Sequence, residues 1–454
     1  MRRTLVSLLV LAALSLGAAD AARASETGLV TDLTWGDTAA EQDRTVNALR
    51  DSGTKWVRLS IQWKNLEQAV PGVYDVWWLA HVDRAVELAD AAGLNVLMMV
   101  YDAPPWASGS SSRSTPRNPA DYAAFLRFVA TRWAAKIDAY EIWNEQNISR
   151  FWTNPSPAEY TRLLQAAYPA VKAADPTATV VFGGLSTSDY AFVEGAYAAG
   201  ARGSFDAMAV HPYTYCGTGT PDEIRRNADG RVTRDSFLGY REVRASMLAR
   251  GDDKPIWITE FGWTTATGGC DPGRGFWQGG VSEALQAAHL TRSYALFATD
   301  AYVGPAFAYN LRNNYWEHDA DSAEARYGLM RTDYSPKPAY DAFRAVAGLA
   351  PAPVPPPAPA PPTSGPRVDL TSPTNGAATR GALTLSATAS AADGVARVSF
   401  YVDGSLVKTD TSAPYSFKWG NFKHLAAGPH LAEARAVDRS GRVATDSATV
   451  TRLP

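Results

Sequence analysis

Short apolar runs rich in β-branched and aromatic residues recur along most of the chain, separated by longer segments whose apolar residues fall at i, i+3 and i+4. The runs Leu29–Trp35, Trp56–Trp63, Val96–Tyr101, Ala139–Trp143, Thr179–Phe182, Ala207–His211, Ile256–Thr259 and Ala306–Tyr309 predict eight strands. The segments Leu79–Ala92, Pro119–Ala135, Pro157–Ala174 and Ser282–Ala298 predict helices, several of them opened by Ser, Asn or Asp. Strands alternating with amphipathic helices imply a parallel sheet covered by helices. Eight such units between residues 25 and 349 predict an α/β chain folded as a (β/α)8 TIM barrel. A doubly wound open sheet is the alternative use of the same alternation.

The pattern then changes twice. From Ala350 to Pro366 the chain reads APAPVPPPAPAPPTSGP, which cannot pack a core and favours an extended, semi-rigid spacer. From Arg367 to Pro454 short alternating runs are separated by frequent turn signals, and no helical period appears, so a small all-β sandwich of roughly seven strands is expected. Its clearest piece is Val398, Phe400 and Val402, then the hairpin signal Asp403-Gly404, then Leu406 and Lys408. At the other end Arg2 and Arg3, the apolar run Leu5 to Leu16 and the small-residue pattern Ala22-Arg23-Ala24 have the order of a secretory signal over residues 1–24, by the general or the twin-arginine route. The expected protein is secreted, with no membrane span, because the apolar run is shorter than the roughly 20 residues a bilayer requires.

Charge narrows the partners. With 43 Lys and Arg against 46 Asp and Glu, the net charge of −3 argues against nucleic-acid binding by bulk charge. The 14 Trp, 20 Tyr and 15 Phe, against 2 Cys, favour a flat ligand with apolar faces, and sugar rings fit that description.

In a barrel the chemistry lies at the carboxyl ends of the strands. Two of these ends carry a glutamate after an aromatic, apolar run: Tyr140-Glu141-Ile142-Trp143-Asn144-Glu145 after the fourth, and Ile256-Trp257-Ile258-Thr259-Glu260-Phe261-Gly262 after the seventh. Paired carboxylates are what glycosidic cleavage requires, one to protonate the leaving oxygen and one to attack the anomeric carbon or activate water there. Glu141 alternates with Trp143 and reads as structural. His81, His289, His318, His424 and His430 show no metal-ligand spacing, and no phosphate-binding glycine loop is present, so neither metal nor cofactor is expected.

Trp143-Asn144-Glu145 and Ile258-Thr259-Glu260-Phe261-Gly262 resemble the acid/base and nucleophile motifs of clan A glycoside hydrolases, most closely families 39 and 5. The resemblance extends to Trp56-Val57-Arg58-Leu59, His211-Pro212-Tyr213, Tyr327-Gly328-Leu329 and Lys337-Pro338-Ala339-Tyr340. It implies a retaining O-glycosyl hydrolase with Glu145 as general acid and base and Glu260 as nucleophile. It further implies that Arg58 holds Glu260 ionised, that Tyr213 donates a hydrogen bond to Glu260, that Asn144 contacts the 2-hydroxyl of the sugar and that His211 completes the polar floor. Glu145 must hold its proton near neutrality while Glu260 stays ionised. The carboxy-terminal sandwich resembles bacterial immunoglobulin-like modules, with a spacer role or a glycan or cell-wall contact through Tyr401, Tyr415, Trp419 or Phe422.

Trp35, Trp63, Trp106, Trp263, Tyr309 and Trp316 are candidates to stack on sugars, Tyr309 and Trp316 foremost, although Ala308-Tyr309-Asn310-Leu311 departs from the Trp familiar at the eighth strand of that clan. Cys216 and Cys270 follow the sixth and seventh strands, and in an exported protein two cysteines in adjacent loops are expected to form a disulfide. Such a bridge would brace the loop 266–280 bearing Arg274, Phe276 and Trp277. The expected partner is a poly- or oligosaccharide. A non-catalytic carbohydrate-binding protein on the same scaffold is the competing reading.

Overall fold

A computed structural model describes residues 25–35, 38–110, 115–266, 280–314, 323–350, 365–392, 394–439 and 442–453. The chain divides into two compact units between Ala352 and Pro353.

The first unit is a closed barrel of eight parallel strands in sequence order: β1 (Thr27–Val30), β2 (Trp56–Gln62), β3 (Asn95–Tyr101), β4 (Ala139–Asn144), β5 (Thr179–Ser186), β6 (Met208–His211), β7 (Ile256–Phe261) and β8 (Val303–Ala308). β8 closes on β1 through Gly28 opposite Phe307. The open-sheet alternative is thereby excluded. Helices cover the outside, and their starts follow the expected chemistry. Asp75, Asn118, Ser156 and Ser282 cap the helices Val76–Ala91, Pro119–Arg132, Pro157–Ala174 and Glu283–Phe297 by accepting from backbone N–H groups of the first turn.

Inside the barrel the period of two along a strand separates an apolar layer from a polar one. Trp56, Ala139, Ala209 and Trp257 lie in a buried apolar cluster with Phe307. Two residues nearer the carboxyl end of those strands stand Arg58, Glu141, His211 and Thr259, all buried. Trp56 meets Trp257 edge-on at 5.1 Å and Phe307 at 6.3 Å, plugging the barrel beneath the polar layer. Gly28 is required here, because a Cβ on it would stand 2.5 Å from the Phe307 ring.

The first strand is shorter than its apolar run. After Val30 the chain leaves the sheet, and Trp35 N–H closes a turn on the carbonyl of Asp32, so residues 31–35 form a loop at the carboxyl end of the strands.

The second unit is a two-sheet sandwich. Its strands are β9 (Arg367–Ser372), β10 (Ala377–Thr379), β11 (Leu383–Ser390), β12 (Val395–Val402), β13 (Ser405–Asp410), β14 (Tyr415–Trp419), β15 (Gly428–Asp438) and β16 (Val443–Arg452). One sheet has the order β10-β16-β15-β12-β13 and the other β14-β11-β9. Val398, Phe400 and Val402 face Ala432, Ala434 and Ala436 in the core. The hairpin turn falls at Asp403-Gly404, with φ of 50° and 77°, as a two-residue turn of this type demands. Of the aromatic residues considered for glycan contact, Phe422 and Tyr415 belong to this core, at 0% and 9% exposure, and so cannot serve.

Candidate active site

Arg58 organises the polar layer. Its guanidinium is buried and donates from Nε to Glu141 Oε2 (2.6 Å), from Nη1 to Glu260 Oε1 (2.6 Å) and from Nη2 to Asn144 Oδ1 (2.9 Å). Burial works against its charge, but the two carboxylates outweigh that and raise its pKa above the ordinary arginine value. Glu141 is fully buried and also accepts from the Gly184 N–H and from Thr259 Oγ1, both at 2.9 Å. It is structural, as its alternation suggested, and what it supports is Arg58.

Glu260 receives Arg58 on one oxygen and Tyr213 Oη on the other (3.0 Å). Desolvation would raise its pKa. The charges of His211 and Arg58, with the hydrogen bonds from Tyr213 and Arg58, prevail and hold it below the usual carboxylate range. Asn144 turns its Oδ1 to Arg58, a pure donor, which leaves its Nδ2 hydrogens for the cleft.

His211 joins the two candidate catalytic carboxylates. Thr259 Oγ1 spends its single proton on Glu141, so its 3.0 Å contact with His211 Nε2 requires that nitrogen to carry hydrogen. His211 Nδ1 then faces Glu145 Oε1 at 3.1 Å, within hydrogen-bond distance. Burial would lower the His211 pKa, but Glu260 and Glu145 overcome it and raise it. Gly184 is needed beside this ring, since a Cβ there would lie 2.1 Å from Nε2.

Glu145 reaches the cleft because the end of β4 bends. Trp143 and Glu145 have φ of 74° and 44°, left-handed values that cost non-glycine residues on the order of 1–3 kcal/mol each, while Glu145 N–H still bonds the Gly184 carbonyl at 2.8 Å. Ligand-capable atoms of Glu145, His211 and Glu260 lie within 4.8 Å of one another. A divalent cation could use that spacing, but Arg58 already occupies Glu260 and would repel it.

Arg58, Asn144, Glu145, Tyr213 and Glu260 line a cleft of about 360 Å³, whereas His211, expected to complete its polar floor, is fully buried behind Glu145 and Glu260 and lies outside that lining. Trp35 and Tyr309 line it as anticipated, Trp35 fixed by Nε1 donating to Ser60 Oγ (2.7 Å) and Tyr309 edge-on to Tyr327 (5.5 Å). Three other aromatic candidates are corrected. Trp63 is fully buried against Phe125, and Trp263 is buried against Phe237. Trp106 packs on Trp63 and bonds the Glu67 carbonyl, away from the cleft lining. Trp316 lies outside the described residues. So do Cys270, Arg274, Phe276 and Trp277, and with them the expected Cys216–Cys270 bridge.

Sequence reasoning missed several lining residues: Asp32, Tyr327 and the ion pair of Arg150 Nη1 with Glu324 Oε1 (3.3 Å). That pair joins the loops after β4 and β8, which stand opposite each other in an eight-stranded barrel. Burial, opposed by Arg150 and reinforced by Glu145 and Glu260, raises the Glu324 pKa.

Residues 18–298 match the cellulase family, glycosyl hydrolase family 5, and residues 366–434 match the bacterial Ig domain. Among solved structures, a family 39 glycoside hydrolase from the gut symbiont Bacteroides cellulosilyticus WH2 is similar at 20% identity over 88% of this chain and 80% of that one, with a TM-score of 0.57. The exo-β-1,4-mannosidase Op5Man5 from Opitutaceae bacterium strain TAV5 is similar at 16% identity over 71% of this chain and 59% of that one, with a TM-score of 0.52. A β-glucuronidase from Bacteroides uniformis aligns over 95% of this chain but 46% of its own length, at 13% identity and a TM-score of 0.49. The first two are likenesses of fold. No curated protein sequence matches the chain.

Proposed function

The chain belongs to the cellulase family, glycosyl hydrolase family 5, and from that premise we propose that its barrel cleaves β-glycosidic bonds of a poly- or oligosaccharide with retention of anomeric configuration. The observation that carries this reading is the spacing of the two carboxylates, whose oxygens approach within 4.8 Å. Retaining enzymes hold their carboxyl groups about 5–5.5 Å apart, whereas inverting enzymes leave about 6.5–9.5 Å for a water.

Glu145 gives its proton to the glycosidic oxygen as Glu260 attacks the anomeric carbon, the C–O bond breaks, and the leaving sugar departs with that proton. The glycosyl ester on Glu260 is then attacked by water, whose proton returns to Glu145, and Glu260 leaves as a carboxylate. His211, 3.1 Å from Glu145 Oε1, orients that carboxyl group toward the cleft. Arg58 and Tyr213 stabilise Glu260 whenever it is ionised, and Asn144 Nδ2 offers a donor to the 2-hydroxyl, where hydrogen bonds strengthen in an oxocarbenium-like transition state. The signal-like residues 1–24 favour action outside the cytoplasm.

The test is reducing-end release from β-glucans, xylan, mannan and bacterial exopolysaccharides by wild type, Glu145→Gln and Glu260→Gln, with the anomer first formed read by NMR. Wild type should release sugar from at least one glycan with retention. Glu145→Gln should lose about 10²–10⁴-fold in kcat/KM, the usual contribution of a positioned acid. Glu260→Gln should lose at least as much, because it removes the carboxylate that Arg58 and Tyr213 hold ionised beside Glu145. Variants as active as wild type, or an inverted first product, would sink the assignment.

A further inference from the structure

Among the described residues, the exposed large apolar side chains are scattered except in one stretch: Val70, Val73, Val76 and Trp77 are 49, 59, 81 and 56% exposed. The stretch follows β2 and opens the helix Val76–Ala91. It therefore lies at the carboxyl end of the strands, the same end of the barrel as Glu145 and Glu260. Its shape is held. Asp75 accepts from the N–H groups of Trp77 and Trp78 at 3.0 and 2.9 Å, fixing the first turn. The Trp77 indole lies parallel to the His81 imidazole, with centroids 5.3 Å apart and planes at 10°, and Trp78 meets it edge-on at 4.9 Å.

Neighbouring residues link the patch to the cleft. Trp78 and Trp35 border one small hollow with Ser60, and Trp35 and Ser60 also line the cleft. The three indoles thus follow one another from Trp35 in the cleft lining, across that hollow to Trp78, and on to Trp77 beside it. A rigid indole backed by a second ring presents a flat apolar surface to the C–H face of a sugar and loses little side-chain entropy on binding. Gln68, whose Nε2 donates to Asp75 Oδ2 at 3.2 Å, borders the patch with polar groups suited to sugar hydroxyls. Four side chains fall short of the roughly 800 Å² per partner that a stable protein interface buries, which disfavours a second copy of the chain as the occupant.

We propose that Trp77, with Trp78 behind it and Trp35 at the rim, is a distal subsite that stacks a pyranose unit of the same glycan chain whose scissile bond lies between Glu145 and Glu260. It rests on the glycosidase reading and deepens it: the substrate is a chain long enough to reach from the cleft to Trp77, and preference grows with chain length.

The test runs the full chain on native gels cast with soluble mixed-linkage β-glucan, xylan or galactomannan, comparing wild type, Trp77→Ala, Trp77→Phe and, as a control, Leu248→Ala at an exposed site 50% accessible at the far end of its helix. At least one glycan should retard wild type and the Leu248 variant. In Trp77→Ala the apparent Kd should rise about 2- to 12-fold, the range of one ring stacking, and Trp77→Phe should recover part of it. With oligosaccharides of the retarding glycan, the rise in KM for Trp77→Ala should grow with chain length. Equal retardation of Trp77→Ala and wild type, retardation of wild type by none of the three, or self-association lost in Trp77→Ala by sedimentation velocity would each overturn the subsite. Failure of the glycosidase reading would show separately, as retardation that depends on Trp77 without reducing-end release.

Discussion

At the scale of single residues the site is a charge balance built on Arg58, whose guanidinium serves Glu141 below and Glu260 above. Arg58→Lys keeps the charge but offers a point donor instead of a fork, so it cannot satisfy both carboxylates and the Asn144 oxygen. On the proposed mechanism the acid limb of kcat/KM reports ionisation of Glu260, which the wild type holds below the ordinary 4.5, so that limb should move to higher pH in Arg58→Lys, with kcat/KM reduced at every pH. An unmoved limb would mean that Arg58 does not tune the nucleophile. Stability follows the same groups. Glu260, depressed in the native state, stabilises above about 4.5 and loses this as pH falls through its native value; His211, raised above 6.5, stabilises below that value and loses this as pH rises through its native one. Both contributions are complete between about 4.5 and 6.5. Arg58, Asn144, Glu145, Tyr213 and Glu260 were legible because each stands in a short motif at a strand end. The contact of His211 with Glu145 was not, because it depends on how Thr259 and Glu141 orient the imidazole ring.

At the scale of elements, strands and helices were legible where a period of two or 3.6 governs them, and loops were not. The run Leu29–Trp35 looked like strand throughout because loop residues that line a cleft can be as apolar as strand residues, and only the turn at Asp32 shows where the sheet ends. The Arg150–Glu324 pair joins positions 174 residues apart in aperiodic loops, a contact no local pattern encodes. Lys337 is a further case. Its ammonium is buried at 1% exposure and donates to Thr265 Oγ1 (3.0 Å) and the Arg326 carbonyl (2.9 Å), tying the loop after β7 to the loop after β8. Desolvation pushes its pKa down from 10.5 to about 7. Between those values the unfolded chain binds a proton that the native one does not, so stability gains with rising pH, by up to about 1.4 kcal/mol per unit for one proton. Urea unfolding of wild type and Lys337→Met from pH 6 to 10 should show a difference that is flat below about 7 and turns in favour of wild type above it. A difference independent of pH would mean that the amine is solvated.

At the scale of the whole molecule, composition alone marked the division, because a run of proline and alanine has nothing to bury. Barrel closure was read from the count of strand-helix units, and its physical basis is the pairing of β8 with β1. Each unit has its own core, with Trp63, Trp143 and Phe261 among the barrel residues and Leu385, Phe400 and Phe422 in the sandwich. A separate core is what lets a segment fold alone. The barrel fragment 25–350 and the sandwich fragment 365–454 should therefore each unfold in one cooperative urea transition. All of the groups lining the cleft belong to the barrel, and two of the four sandwich aromatics considered for glycan contact are core residues. The barrel fragment should thus match the full chain in kcat/KM on short oligosaccharides, and retention of the full chain on insoluble glycan should persist when residues 351–454 are removed. Loss of that retention with hydrolysis intact would assign binding to the sandwich through its remaining candidates, Tyr401 and Trp419. Of these, Tyr401 already has the Arg435 guanidinium 4.2 Å from its ring centre, so a sugar stacking there would have to displace a cation–π contact. That cost favours the spacer reading and makes unchanged retention the expected result.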